Sequence, residues 1–340
     1  MSPKTQPTIY DISQAAGVSI ATVSRVINQN PNVTEATRER VTKVMKDFGY
    51  TPNVFARGLG LNSMKTIGIL CADSSDIYLA KAVYLIEQGL RENGYNSLLC
   101  CTGYEVASKA ESCSLLISKK VDAVILVGSN FVSADENANE YIRNAAKMVP
   151  VMILNAPFDC KNVYSVFCDD FRAVSDVVEK LLKQGRKNLL YMYDSDSYSG
   201  RRKRLGFEDG FKKSGLEPDK ENEYIIKTTG GAIISGMEFL AERLKKNPKI
   251  DGIIASEDVL AVASMKYIKR AGLKVPEDIA VVGYNNSMLS ELAEPTLTSV
   301  DNKLEGLCAN LVSVLLGVLD GRDMPERTQF SGETVWRETT

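Results

Sequence analysis

The 340 residues contain no histidine, and this absence excludes more chemistry than any other feature of the chain. Without imidazole there is no Ser-His or Cys-His nucleophile pair, no histidine-ligated metal site and no base of the usual kind for hydrolysis. Long apolar runs are also missing. No stretch approaches the ~18 uninterrupted residues that a membrane helix needs, so no membrane partner is expected. The seven cysteines, Cys71, Cys100, Cys101, Cys113, Cys160, Cys168 and Cys308, are odd in number and form no C-x-x-C pair. They read as free thiols in a reducing compartment, with neither a disulfide framework nor a zinc site. The opening MSPKTQPTIYDIS lacks the apolar core of a signal peptide, which predicts a cytoplasmic protein. There is no P-loop, G-x-G-x-x-G or G-x-S-x-G run, so the expectation is a non-enzyme without cofactor or metal.

What is present is an ordinary globular composition, 44% apolar and 25% charged, long enough for at least two cores. The net charge of −2 conceals a division, because residues 1–65 carry eight Lys and Arg against four Asp and Glu. That leaves +4 on a basic head and −6 on an acidic body, a hint of nucleic-acid contact at one end.

Spacing predicts three short helices in the head. Thr8 with Asp11 forms a weak capping box, and Ile9, Ile12, Ala15 and Ala16 share one face until Gly17 ends the helix. Ser19 caps the second helix, with Val23, Val26 and Ile27 inward and Ile20, Ala21, Ser24, Arg25 and Asn28 outward. Thr34 caps the third, whose inward face is Val41, Val44, Met45 and Phe48 and whose end is Gly49. Two helices joined by a tight turn and braced by a third make a helix-turn-helix, which places its second helix in the DNA major groove.

The runs Thr8-Ile9-Tyr10-Asp11-Ile12, Ala16-Gly17-Val18-Ser19 and Thr22-Val23-Ser24-Arg25-Val26-Ile27-Asn28 closely resemble the headpiece of LacI/GalR-type bacterial repressors. The likeness continues through Thr37-Arg38-Glu39-Arg40-Val41 and Gly49-Tyr50-x-Pro52-Asn53-x-x-Ala56-Arg57-x-Leu59, then more loosely along the chain. It implies that Ile20, Ala21 and Arg25 face base edges. Arg25 can fork two hydrogen bonds to guanine, whereas Ile20 and Ala21 offer apolar contact only. Thr8, Ser19, Thr22, Ser24 and Asn28 are short donors suited to phosphates, with helix capping the competing role for Thr8 and Ser19. Residues 50–64 read as a hinge helix, started by Thr51 and Pro52 and weakened by Gly58 and Gly60. In the resembling family this segment folds in the minor groove. The likeness puts Leu59 at the wedging position, with Ala56 beside it and Asn53 and Arg57 on the same segment.

In the body, apolar runs at 67–70, 97–100, 123–127, 151–154, 188–192, 252–255 and 279–283 alternate with amphipathic stretches and read as buried parallel strands. The fold class is thus an all-α helix-turn-helix headpiece plus an α/β, periplasmic-binding-protein-like body of two doubly wound parallel-sheet lobes. The expected division is 1–49 headpiece, 50–64 hinge, 65–164 with 301–328 first lobe, and 165–300 with 329–340 second lobe. The resemblance implies effector contacts at Asp73, Tyr78, Asn155, Lys203, Glu257, Asn285 and Asn302. Lys203 replaces the family's usual clamping arginine within Arg201-Arg202-Lys203-Arg204, a cluster open to an anion-binding role, and Gly231 stands where a stacking aromatic is frequent. Glu257-Asp258 and Asn285-Asn286 exchange the family's usual acid and amide, which would present a charged carboxylate to hydroxyls from the opposite side.

The expected protein is a homodimer, or a tetramer built from it, that binds an inverted-repeat double-stranded DNA operator. A small sugar-like effector would control it. A partner protein as signal, as in catabolite control, and a solute-binding protein without gene regulation are the alternatives. Leu59→Ala should weaken specific DNA binding without altering the body's thermal stability, and circular dichroism should show helix content rising when operator is added.

Overall fold

The computed structural model describes residues 7–28, 30–50, 63–218, 223–225 and 232–340. Thr51 through Gly60, and with them the hinge assignments of Asn53, Ala56, Arg57 and Leu59, lie outside the described residues, as does Gly231. Two compact units divide the chain, 1–66 with 120–122 and 67–119 with 123–340.

The head holds α1 (Ile9–Ala16), α2 (Ile20–Ile27) and α3 (Glu35–Phe48). Thr8 donates from its backbone and its hydroxyl to Asp11, at 2.6 and 2.8 Å, which holds the Asp11 carboxyl below its usual range. Gly17 and Gly49 both adopt left-handed φ, +63° and +62°, and close α1 and α3. The core is small: Ile12, Ala16, Val23, Val26 and Val41 are buried, with Ile9, Val18, Ile27, Val44, Met45 and Tyr50 packed around them. Two expected core members are instead exposed. Ala15 lies off the Ile12–Ala16 stripe that α1 buries, and Phe48 is 49% exposed at the last residue of α3. The Thr34 hydroxyl bonds Thr37 Oγ1 at 2.9 Å and caps no backbone amide.

In the body the strands are β1 (Thr66–Cys71), β2 (Asn96–Cys101), β3 (Ala123–Val127), β4 (Val151–Leu154), β5 (Val163–Cys168) and β6 (Leu189–Tyr193). They continue as β7 (Glu223–Ile225), β8 (Gly252–Ala255), β9 (Ala280–Tyr284), β10 (Thr298–Asp301), β11 (Arg327–Phe330) and β12 (Glu333–Val335). One sheet runs β11-β5-β4-β3-β1-β2 and the other β12-β10-β9-β8-β6-β7. Helices cover both faces. In the second lobe, Val174, Val177, Phe207 and Phe211 pack one side of the sheet, and Leu240, Leu260, Met265 and Ile268 the other. Two-sided burial is why the central strands read as unbroken apolar runs.

Sheet membership corrects the expected lobe boundaries. β5 lies wholly in the first sheet, β10 keeps Asp301 in the second through its pairing with Glu333, and β11 ends at Phe330 in the first. The strands therefore change sheet after 168, 301 and 330, within a few residues of the 164, 300 and 328 expected from the sequence. β5, β10 and β11 carry polar residues that interrupt the apolar signal. β12 is antiparallel to β10, so the second sheet is not purely parallel. β2 was expected to be buried, yet Leu98 and Leu99 are 40% and 46% exposed, because it is the edge of its sheet.

One close approach locks the second lobe beside its strand ends. A Cβ on Gly283 would lie 2.2 Å from Asp258 Oδ1, which Ser299 Oγ already holds at 2.6 Å. Gly283→Ala should cost about 1–3 kcal/mol, the usual range for overpacking, read as a lower urea midpoint with an unchanged slope.

Candidate functional site

On α2 the residues singled out for base contact stand free. Ile20 is 38% exposed, Ala21 and Arg25 are exposed, and the Arg25 side chain makes no ion pair or hydrogen bond among the described residues. Thr22, Ser24 and Asn28 are half-buried on the flank. Ser19 Oγ accepts from Thr22 N at 3.2 Å and lies 2.9 Å from Thr22 Oγ1. Ser19, like Thr8, is thus engaged as a cap.

In the body a cleft of about 460 Å³ opens between the two sheets. Its polar lining comes from the residues that follow strand ends: Asp76 and Tyr78 after β1, Asn155 after β4, Asp170 after β5, Asp194 after β6, Glu257 after β8, Asn285 after β9 and Asn302 after β10. Parallel strands ending at a common edge bring such residues together from distant parts of the chain. Asn155 and Asn285 turn there with φ of +69° and +93°, a left-handed conformation that asparagine tolerates.

The floor of the cleft is a hydrogen-bonded network. Asn155 Nδ2 and Asn302 Nδ2 donate to the Tyr78 hydroxyl at 2.6 and 3.0 Å, and Asn302 Nδ2 also donates to Asn285 Oδ1 at 3.2 Å. Asn302 Oδ1 is buried with no hydrogen-bond partner. At the mouth, Ser129 Oγ donates to Ser197 Oγ across the lobes at 2.9 Å. The loop carrying Ser129 is held by the buried Lys109, whose Nζ donates to Asn130 O at 2.7 Å.

Lys203 is buried, and its ammonium donates to Ser256 O at 2.9 Å and lies 3.6 Å from the centre of the Tyr284 ring. The Tyr284 hydroxyl in turn donates to Asp170 at 2.5 Å. Burial lowers the Lys203 pKa and raises that of Asp170, and each charge partly offsets the shift of the other. The basic run around Lys203 does not converge on an anion. Arg201 bonds Asp196 O at 2.5 Å, and Arg202 stacks over Phe171 at 4.7 Å. A helix distributes four consecutive residues around its axis.

Glu257 faces the cleft and Asp258 does not, since Asp258 is consumed by Ser287 and Ser299. Likewise Asn285 faces in, while Asn286 Oδ1 accepts from Arg337 and Ser290. Burial, and then Asp194 and Asp76, push the Glu257 carboxyl up to about 8. At pH 7 it is therefore largely a neutral acid, whereas the sequence led to the expectation of a charged carboxylate. Asp73 is placed apart from these residues: its carboxylate is held by Ser75 N and Oγ at 2.8 and 2.7 Å and is absent from the lining. Asp76 lines the cleft instead, capping the helix Ile77–Glu92 through Leu79 N at 2.7 Å. Asp170, Asp194 and Ser199 were not singled out from sequence, although Asp194 could have been found as the first polar residue after an apolar strand.

A helix-turn-helix with an unencumbered second helix, in one chain with two doubly wound lobes enclosing a polar cleft, is the make-up of a DNA-binding transcriptional regulator. The comparisons agree. Residues 8–53 match the family model for bacterial regulatory proteins of the lacI family, and residues 178–340 match that for the periplasmic binding protein-like domain. An HTH-type transcriptional regulator of Lachnoclostridium phytofermentans is 49% identical over 332 residues, covering 98% of this chain and 99% of that protein. Among solved structures, a transcriptional regulator CelR–cellobiose complex is 26% identical with a TM-score of 0.71, covering 98% of this chain and 100% of the other. The Lac repressor dimer bound to operator and the anti-inducer ONPF shares the fold at 23% identity and a TM-score of 0.87, with 98% and 99% covered. The chain belongs to the lacI family of bacterial transcriptional regulators.

The raised Glu257 group has a thermodynamic consequence. An acid with a folded-state pKa of about 8 against an ordinary 4.5 binds more protons folded than unfolded between those values, so it lowers stability as pH rises through that window. The stability of Glu257→Gln relative to the parent should therefore grow by about 1–2 kcal/mol between roughly pH 5 and 9, less than full linkage because water reaches the cleft. Parallel denaturation profiles for the two proteins would show that Glu257 titrates normally.

Proposed function

We propose that the protein is a homodimeric repressor. Its two heads read an inverted-repeat operator of ~16–20 bp, and a sugar-like molecule bound between the lobes sets its affinity for that DNA. In this reading 1–49 is the headpiece and 50–64 the hinge. The lobes are 65–168 with 302–330 and 169–301 with 331–340. Arg25, Ile20 and Ala21 meet base edges. Thr22, Ser24 and Asn28 lie toward phosphates, and Asn53, Ala56, Arg57 and Leu59 act in the minor groove.

The observation that carries the effector reading is the unpartnered Asn302 Oδ1, a buried acceptor beside Tyr78, Asn155, Asn285 and Glu257 in a cleft shared by both lobes. A hydroxyl would satisfy it, and an orphaned buried acceptor is costly to leave bare. The relative whose structure was solved with cellobiose supports a sugar class. A partner copy is supported by Tyr84, Leu98, Leu99, Val106 and Leu115, apolar side chains left exposed on the first lobe that a second copy would cover. Closure of the lobes on effector would alter the spacing of the two heads and so the fit to adjacent half-sites.

The test starts from DNA that the protein selects out of a random pool. Fluorescence anisotropy should give an affinity that falls steeply with salt and shifts when an effective sugar is added. Arg25→Ala should lose about 1–3 kcal/mol per half-site and relax preference at one base pair. Equal losses on selected and random DNA would overturn direct readout by Arg25. Selected DNA without inverted symmetry would overturn the dimeric reading.

A further inference from the structure

The charges of the cleft do not balance. Five carboxyls line it, Asp76, Asp170, Asp194, Asp196 and Glu257, against one cation, Lys203. Lys203 is matched to Asp170 through the face of Tyr284, and Asp196 is exposed to solvent. Asp76, Asp194 and Glu257 remain, brought by the ends of β1, β6 and β8 from both lobes. None of them forms an ion pair among the described residues. Asp76 accepts helix-capping bonds from the backbone of Leu79 and Tyr78, and Asp194 accepts only a long 3.4 Å contact from Ser256 Oγ. Glu257 precedes the helix Asp258–Arg270 yet does not cap it. No acidic group among the described residues has the arrangement of a metal site.

A second observation at the same place points to a ligand. Asn302 is 4% exposed, lines the same cleft and leaves Oδ1 without a donor. The cleft thus holds more carboxyls than cations, and among its amides Asn302 Oδ1 lacks a donor and Asn130 Nδ2 an acceptor. A phosphorylated sugar would enter against three carboxyls. A neutral sugar could fill Asn302 but would leave Asp76, Asp194 and Glu257 facing one another with no ion pair, their ionised forms disfavoured by burial and mutual repulsion. A protonated amine answers both.

The geometry points to an effector that is a hydroxylated compound bearing a primary ammonium, an amino sugar in class, with the ammonium between Asp76, Asp194 and Glu257 and a hydroxyl hydrogen given to Asn302 Oδ1. This rests on the reading of the cleft as the effector site. A cation placed there would favour ionised Glu257 over the facing charges of Asp194, Asp76 and Asp258, with Lys203 acting in the same sense, so binding would release a proton.

Titration calorimetry on the full-length protein at pH 7, in two buffers of different ionisation enthalpy, tests the proposal with matched probes. These are glucose and glucosamine, cellobiose and the glucosamine disaccharide, and glucose 6-phosphate as the anion. The expected result is that at least one amino probe binds about tenfold or more tightly than its neutral partner, with proton release, and that glucose 6-phosphate does not bind. Glu257→Gln should reduce that preference about tenfold, and Asp194→Asn serves the same purpose if the first variant does not fold. A neutral probe or the phosphate binding as well as the amino probes overturns the charge class and leaves the cleft reading standing. Binding of no probe at millimolar concentration overturns both. An amino preference that survives both substitutions overturns the proposed seat.

Discussion

Two amides converge on one phenol oxygen in the body. Asn155 reaches it from the end of β4 and Asn302 from the point where the chain leaves β10, and Asn302 also passes a hydrogen bond to Asn285 at the end of β9. The ends of three strands are thereby tied to Tyr78, on the first helix of the body. The network consists of neutral groups, so its burial costs far less than that of charges would, and it can hold the crossing between lobes without needing counterions. Removing the Tyr78 hydroxyl would take the acceptor from Asn155 Nδ2 and leave Asn302 Nδ2 with Asn285 alone. The geometry of the whole cleft depends on this meeting point.

Charge is handled differently above that floor. A lysine stands where the resemblance read from the sequence implies a clamping arginine, and the difference is more than a matter of size. Arginine presents a planar fork to a ligand, whereas the Lys203 ammonium is a point charge already directed to the Ser256 carbonyl and the Tyr284 ring. The cation therefore stabilises the wall of the cleft and leaves the remaining carboxyls to set its potential. At the scale of the molecule the same division recurs. The acidic body adds no attraction for phosphates, so electrostatic affinity for DNA is confined to the basic head.

The legible parts of the fold were those with local periodicity. The runs 123–127, 151–154 and 252–255 coincide residue for residue with β3, β4 and β8, because strands covered on both faces have no room for polar side chains. β5, β10, β11 and β12 mix polar and apolar residues at crossings and edges, and nothing in their composition separates them from loops. β2 shows the opposite failure. Its Leu-Leu-Cys-Cys run has the composition of a core strand, yet its place at the sheet edge leaves it exposed. In the same way Asp73 and Asp76 are equivalent as sequence. Only the turn that satisfies Asp73 on Ser75, and the helix start that draws Asp76 inward, separate them.

By itself the sequence determined that no imidazole is available to the protein and that its head is a helix-turn-helix with Arg25 on the outer face of the second helix. It also determined that strands and helices alternate along the body. These properties rest on residue type and on spacings of a few positions. Tertiary structure alone decided that Glu257 and Asn285 face the cleft while Asp258 and Asn286 are tied into the lobe, and that Glu257 is held as a neutral acid. Those outcomes depend on Ser287, Ser299, Arg337, Asp194 and Asp76, which other strands and the chain's last segment bring to the site. Electric potential at a buried carboxyl is a property of neighbours in space, and spacing along a chain does not encode it.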